Sequence, residues 1–449
     1  MDSTLLNRLI VSFQQRRLIL FCGAGLSMAA PSGIPSSAAL TQQVMDEYSR
    51  RALPALPPTA TANLETLADH LFAGGLQSLF VRDLVKWRPF RRNPNIGHRA
   101  LADFLTSGAV PFAATTNFDE LVELSAMELG EDSFKASLTS DEANVNRGHQ
   151  PFLKIHGCVC DIDHTLWCKR QLDGAPPVSP ANLTVRARLA SAQQWLRANL
   201  PEKDLVFLGF WSDWSYLNAV LSESVHSVHA PLVILVDPQS AAVLSAKAPE
   251  LWAWANGGAE FIHIQEKGED FLTELRTGFS KNLLERVLQS ATTGFRLVRS
   301  GVPVPPTAFD GMSADDLYAF RRDVGGVSRL RIPKYSEPDP SMDAVGRAHL
   351  LLRHAGATMS GSHYISSDHK RIRIVNGKTK LISQIRQEFS EEPPLPATLE
   401  DDIVICAGAT EDGGVPSHIV RGSTTATVVR SGTSARWMSL ETAIGEGMC

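Results

Sequence analysis

The feature that most constrains this chain is a series of short, largely apolar runs separated by stretches of helical periodicity. Leu18–Cys22 (LILFC), Phe112–Thr115, Phe152–Ile155, Leu205–Leu208 and Leu232–Val236 have the length of buried strands. Helical patterns lie at about 4–16, 37–52, 62–86, 97–106, 119–129, 184–198 and 213–226, with a last strand and helix at 260–264 and 269–278. Parallel strands need crossover connections and are buried on both faces, so they read as unbroken apolar runs alternating with helices. The pattern predicts an α/β fold over residues 1–290: a Rossmann-like parallel sheet with helices on both faces.

The texture changes at Ser300–Ser313 (SGVPVPPTAFDGMS), where clustered prolines predict a stiff connector. We therefore expect a Pro-rich linker at 291–313 and a smaller β-rich or α+β domain at 314–449. Within it, Arg371–Ile382 (RIRIVNGKTKLI) predicts a hairpin turning at Asn376-Gly377. That pairing sets Ile374 opposite Thr379 and Ile372 opposite Leu381, and leaves Arg371, Arg373, Lys378 and Lys380 on the other face. We expect this basic face to be solvated.

Charge narrows the function classes. The chain of 449 residues has a net charge of −5, and residues 301–449 carry 16 basic against 18 acidic side chains. Neither part has the excess of positive charge that a general nucleic-acid binder needs. No stretch approaches the length of a membrane span, and the N-terminal run, broken by Gln14, Gln15, Arg16 and Arg17, does not read as an export signal. With only six cysteines there is no dense disulfide framework, and a cytoplasmic location is expected. Cys158, Cys160 and Cys168 would be the ligands of a metal site, but the Cys-x-Cys spacing lacks the usual knuckle and no metal is expected.

Chemistry gathers where strands end. Gly23-Ala24-Gly25-Leu26-Ser27 follows the first strand, and glycines there let the backbone approach a pyrophosphate. The third glycine of the dehydrogenase fingerprint and the Gly-Lys-Ser/Thr of a P-loop are both missing. Thr115-Thr116-Asn117-Phe118-Asp119, Lys154-Ile155-His156-Gly157, Gly209-Phe210-Trp211-Ser212-Asp213 and Asp237 each follow a later strand. The carboxyl ends of parallel strands share one edge of a sheet, where ligands bind, so these residues converge on a nucleotide site. Each one alone is also a common turn or cap residue. His98, in NIGHRALADF, is read as facing the helix surface or shaping the fold, and not as catalytic.

In this order the motifs resemble the sirtuin superfamily of NAD-consuming enzymes, over about residues 15–280. GAGLS with Gly33-Ile34-Pro35 is similar to its opening loop, TTNFD to its Asn/Asp motif, KIHG to its catalytic-His motif and GFWSDW to its downstream Gly/Ser loop. The departures are informative. Ser36-Ser37-Ala38 stands where deacylases carry Asp-Phe-Arg, Thr116 replaces a Gln, and the two-knuckle zinc module after the His is not recognisable. These departures resemble the bacterial antiphage-defence branch, whose members hydrolyse NAD.

The resemblance implies catalytic roles for Asn117, positioning ribose and water, and for His156, bonding ribose hydroxyls as a general base. It implies a pyrophosphate held by Gly23, Ala24, Gly25 and Ser27, lined further by Ile34, Pro35, Thr116 and Gly209. Asp119 would meet the nicotinamide carboxamide, Ser212 and Asp213 the neighbourhood of the phosphates, and Asp237 the adenosine ribose. NAD+ would be a substrate, in a gated effector that is homo-oligomeric. A HerA-type ATPase is the favoured partner, ahead of a short Argonaute. Protein-lysine deacylation and non-enzymatic NAD or ADP-ribose binding are the alternatives.

Overall fold

The computed structural model describes residues 1–174, 179–225, 232–258, 260–306, 309, 311–325, 340–391, 401–412 and 435–449. Residues 307, 308 and 310 of the expected linker, and 326–339, 392–400 and 413–434 of the expected C-terminal domain, lie outside these. By its internal contacts the chain divides into two compact units. One comprises Met1 and residues 11–273, the other residues 2–10 and 274–449. Among the described residues no helix is long and apolar enough to cross a membrane.

The first unit is built on six strands: β1 Leu18–Cys22, β2 Ala113–Thr115, β3 Phe152–Lys154, β4 Asp204–Leu208, β5 Leu232–Val236 and β6 Glu260–Ile264. All pairings are parallel and the spatial order is β3-β2-β1-β4-β5-β6. That order, the one typical of dinucleotide-binding sheets, places a crevice at the carboxyl ends of β1 and β4, where the direction of winding reverses. Both side-chain parities of β1 are buried, as a sheet covered on two faces requires. Ile19 and Phe21 join Leu205, Phe207, Val233 and Leu235 in one core against the helices Pro180–Asn199 and Ser215–Val225.

A second core lies among the segments that follow β1 and β3. Ile34, Val44, Leu67, Phe72, Phe80 and Phe90 pack with Cys158, Val159, Trp167 and Cys168. The helix expected at 62–86 is split here. It runs over Leu64–Ala73, stops at Gly74-Gly75 with Gly75 at φ +76°, and resumes as short turns over 77–84.

The second unit holds a mixed five-stranded sheet in the order β11-β10-β9-β8-β7. Its strands are β7 Thr358–Ser360, β8 His363–Ile365, β9 Arg371–Asn376, β10 Ile403–Ala407 and β11 Arg436–Ser439. The hairpin expected at Asn376-Gly377 is absent. β9 pairs antiparallel with β8 and parallel with β10, and the chain leaves β9 into the helix Ile382–Glu391. Asn376 is buried. Its Nδ2 donates to the carbonyl of Val324 and to Ser341 Oγ, and its Oδ1 accepts from Lys378 N–H in a local turn. Gly377 serves close approach: a Cβ there would lie 2.6 Å from the Ala409 side chain. The solvated basic face is likewise not found. Arg373 grips Asp323 through Nε (2.8 Å) and Nη2 (2.6 Å), and Lys380 binds Glu388 at 2.6 Å.

In the same unit, Gly346 of the helix Pro340–His354 sits directly on the Val287 carbonyl, and an added Cβ would also fall 2.7 Å from Ala291 Cβ. Gly346→Ala should destabilise this unit by about 1–3 kcal/mol through overpacking. A drop in the denaturant midpoint without change of slope would register it.

Candidate active site

The crevice is closed by glycine against glycine. Gly23 N–H donates to the carbonyl of Leu208 at 2.9 Å and Gly25 N–H to that of Gly209 at 3.0 Å, joining the loop after β1, where Gly23 caps the short helix Ala24–Met28, to the end of β4. A Cβ on Gly23 would lie 2.7 Å from the Gly209 oxygen, and one on Gly25 2.6 Å from Gly209 Cα. Gly209 itself adopts φ +58°. Backbone meets backbone here because no side chain intervenes. Ala24 is exposed on this loop and Gly25 partly so.

Ser27 is the hub beneath the loop and has no exposed surface. Its hydroxyl donates to Asp119 Oδ2 at 2.9 Å and accepts from Asn117 Nδ2 at 3.0 Å. His98 Nε2 lies 3.0 Å from the same oxygen, while His98 Nδ1 accepts from the N–H of Asn95 at 3.2 Å. That bond makes Nε2 the protonated nitrogen, so His98 donates to Ser27 and the hydroxyl's one donor and two acceptor positions are all filled. Burial, against the charge of Asp119, holds the His98 imidazole down at about 4. His98 thus shapes the fold from the interior, and its signal in the sequence is its place three residues after Asn95, the helix cap.

Asn117 ties β2 to this hub. Its Nδ2 also reaches the Gly23 carbonyl at 3.1 Å, and its N–H donates to Thr115 Oγ1 at 3.0 Å. Among the described residues Oδ1 has no protein partner, which leaves the amide oriented with its acceptor available. Thr116, half-buried, donates its N–H to the Cys22 carbonyl. Asp119 is 5% exposed, and its second carboxylate oxygen accepts from Leu121 N–H at the start of the helix Leu121–Glu128. Beneath it, fully buried Lys154 of β3 bonds the Asp119 carbonyl at 2.5 Å and pairs with Glu123 at 2.5 Å. Ile34 joins the loop through its N–H to the Ser27 carbonyl and sits in the second core; Pro35 follows it half-buried.

His156 follows β3, beside β2, and is closed off. Its Nε2 lies 2.8 Å from the Tyr216 hydroxyl and its ring meets Trp214 edge-on at 4.7 Å. Burial, and secondly the charge of Arg188, push the imidazole down to about 3. Neither Tyr216 nor Arg188 was singled out by the sequence reading, since nothing local marks a residue whose partner is 30 to 60 positions away. Asp213 caps the helix Pro249–Gly258, accepting from Glu250 and Leu251 N–H at 3.2 and 2.9 Å. Asp237 accepts from Gln239 N–H at 2.9 Å in a strand-end turn, and Ser212 is half-buried. The structure therefore joins Gly23, Gly25, Ser27, Asn117, Asp119 and Gly209 by direct contacts, whereas His156, Asp213 and Asp237 each have separate local partners.

The chain is similar to Sir2 homologues of known structure. A Sir2 homologue in complex with NAD shares 17% identity at a TM-score of 0.35, covering 63% of this chain and 95% of the other. A Sir2 homologue mutant with ADP-ribose shares 15% at 0.33, covering 63% and 98%. A complex of Sir2 with p53 peptide and NAD+ shares 14% at 0.34, covering 62% and 98%. No family model and no curated protein matches the chain.

The cysteines divide. Cys168 is fully buried in the second core, which Cys158 also joins, but its sulfur is not in the cluster that Cys158 and Cys160 form. Cys158 and Cys160 bring their sulfurs within 4.8 Å of each other and of a Glu120 oxygen. Lys154 Nζ lies 3.4 Å from Cys158 Sγ, a positive neighbour that opposes a cation at that sulfur. An open cavity of about 520 Å³ adjoins Cys160, lined also by Trp87, Arg88, Arg91, Val159 and Ile162. Val159 N–H donates to the Phe118 carbonyl, so the cavity borders the Asn117–Asp119 loop.

Two outcomes follow from this geometry. Ser27→Ala strands the Asp119 oxygen and two N–H donors in the interior and should cost about 1–3 kcal/mol of stability, read by denaturant unfolding. His98 and His156 are neutral when folded but charge below about 6.5 when unfolded. The stability they contribute is complete above pH 6.5 and drains as pH falls, towards about 4 for His98 and about 3 for His156, because the unfolded state binds more protons there. Denaturation midpoints at pH 7.5 and 5 measure the loss.

Proposed function

We propose that the chain hydrolyses NAD+ at the nicotinamide N-glycosidic bond, giving nicotinamide and ADP-ribose. The observation that carries this is the meeting of the Gly23–Ser27 loop, Gly209 and Asn117 at the reversal point of a β3-β2-β1-β4-β5-β6 sheet, where dinucleotides bind. Ala24, exposed, and Gly25, partly so, are the backbone of this turn that a pyrophosphate would approach, and Thr116, Ile34, Pro35, Ser212 and Asp237 are the further candidates for its surroundings.

The leaving nicotinamide is cationic before the bond breaks, so it departs neutral with the bonding electron pair and leaves positive charge on the ribose. Water adds to that carbon and its proton is lost to a base. Asn117 Oδ1, held by the two bonds of its Nδ2, orients the ribose or the water. His156 is the base, and it acts only once Tyr216 and Trp214 withdraw. That closed state supports a gated enzyme, as the resemblance to antiphage effectors implies. In this reading the chain works as a homo-oligomer with NAD+ as substrate and no metal. A HerA-type ATPase is the favoured partner ahead of a short Argonaute.

Purified protein given NAD+ alone should release nicotinamide and ADP-ribose, and Asn117→Ala or His156→Ala should lower the rate by about 10²–10⁴. A requirement for acylated peptide would instead identify a deacylase, and binding without turnover under any trigger a regulator. Tyr216→Phe removes the hydroxyl that holds His156 and should raise basal turnover severalfold, measured by nicotinamide release.

A further inference from the structure

Arg188, on the helix Pro180–Asn199, is 6% exposed, yet its Nε and Nη2 have no hydrogen-bond partner among the described residues. A guanidinium stays charged in a protein, and a buried charge without a partner is costly. The rest of the chain shows what this edge of an arginine is for. Arg82 holds Asp163 through Nε and Nη2, at 2.8 and 2.5 Å. Arg170 holds Asp69 at 3.1 and 3.2 Å, and Arg373 holds Asp323 at 2.8 and 2.6 Å, through the same two atoms. Each pair is a side-on fork gripping two carboxylate oxygens. Arg188 presents the same fork with nothing in it.

Among the described residues no group occupies that fork. Asp161, the nearby carboxylate, has both oxygens against His164 Nδ1 at 2.8 and 2.9 Å. The other titratable groups that act on its charge are the Cys158 thiol and the Tyr216 phenol, the latter held in its neutral form by burial. Gly157, which follows His156 at φ +105°, brings the backbone close against the guanidinium: a Cβ there would stand 3.2 Å from Arg188 Nη1, on the side away from the Nε–Nη2 edge.

We infer that Arg188 is the receptor for an oxyanion, a phosphate or carboxylate group that enters beside His156 and is gripped by the Nε–Nη2 fork. The site does not depend on the proposed NAD chemistry, because the anion binds whether or not a reaction follows. It does give such a reaction a second control. An anion on Arg188 cancels the positive charge that faces His156 and eases protonation of the imidazole.

The test is thermal unfolding of the full chain in sodium phosphate or sodium acetate, with ionic strength held constant by sodium chloride and no NAD+ present. Phosphate, acetate or both should raise the wild-type midpoint saturably, and chloride should not. A response to phosphate alone assigns a phosphoryl ligand, and one to acetate assigns a carboxylate. Arg188→Lys keeps the charge but loses the fork and should weaken the apparent affinity at least about tenfold; Arg188→Gln should abolish the response. If Arg188→Gln does not fold, the ring signals of His156 in the wild type decide, shifting with the oxyanion and not with chloride. An equal response in Arg188→Gln, or no saturable response to either oxyanion, overturns the assignment.

Discussion

The first unit depends on the approach of two backbones with nothing between them. Gly23 and Gly25 lie against Gly209, so the loop after β1 and the end of β4 share hydrogen bonds that would normally stay within a sheet. The Ser27 cluster at the carboxyl edge is indexed to that seam. Ser27 is fixed because the loop is fixed, Asn117 is fixed because it bonds both Gly23 and Ser27, and Asp119 and His98 follow from Ser27. A side chain on any of the three glycines would move the strands apart before it touched a ligand. The sequence analysis read the glycines as room for a pyrophosphate, and the structure adds that they are first room for each other.

How far the sequence could be read follows the range of the interactions. LILFC and LVILV are legible because burial on both faces leaves a local mark, an apolar run with no alternation. Strand order leaves none. That β4 lies next to β1 depends on pairings across some 180 residues, so the edge on which the motifs meet was predictable but the neighbour of each was not. The misread hairpin has the same origin. Asn376-Gly377 carries the local chemistry of a tight turn, but Asn376 is spent on Val324 and Ser341 and Gly377 on Ala409, all distant in sequence. β9 and β10 are both buried from two sides, with Ile372, Ile374, Ile403 and Ile405 in one core and Val375, Val404 and Cys406 in another, which favours a parallel crossover over a half-exposed hairpin.

Charge in the interior is handled in two ways. Lys154 and Glu123 sit as a pair beneath the Asn117–Asp119 turn, where attraction between them offsets the loss of hydration. Removing one partner would leave the other uncompensated beside the site, so the pair pins β3 to the helix that follows β2. The histidines take the other route and remain neutral, His98 through its place between Asn95 and Ser27 and His156 through its aromatic enclosure. In the proposed reaction a neutral His156 is already in the form that accepts a proton; what it lacks is access.

That access has a time scale written into the segment that covers it. Trp211 is anchored by its Nε1 to the Leu244 carbonyl at 3.1 Å, Asp213 by two N–H groups of the helix Pro249–Gly258, and the Tyr216 carbonyl by Gln193 Nε2 at 3.1 Å. With the main chain held at these points, uncovering His156 means turning the Trp214 and Tyr216 side chains about their own bonds. Side-chain rotations of this kind run over picoseconds to nanoseconds at a surface and more slowly when packed, whereas displacement of a whole segment takes microseconds to milliseconds. The cover is therefore of the faster kind, a matter of two side chains and not of a moving segment. In the proposed reaction, a trigger would then act on the fraction of time His156 is open, not on the speed with which it opens.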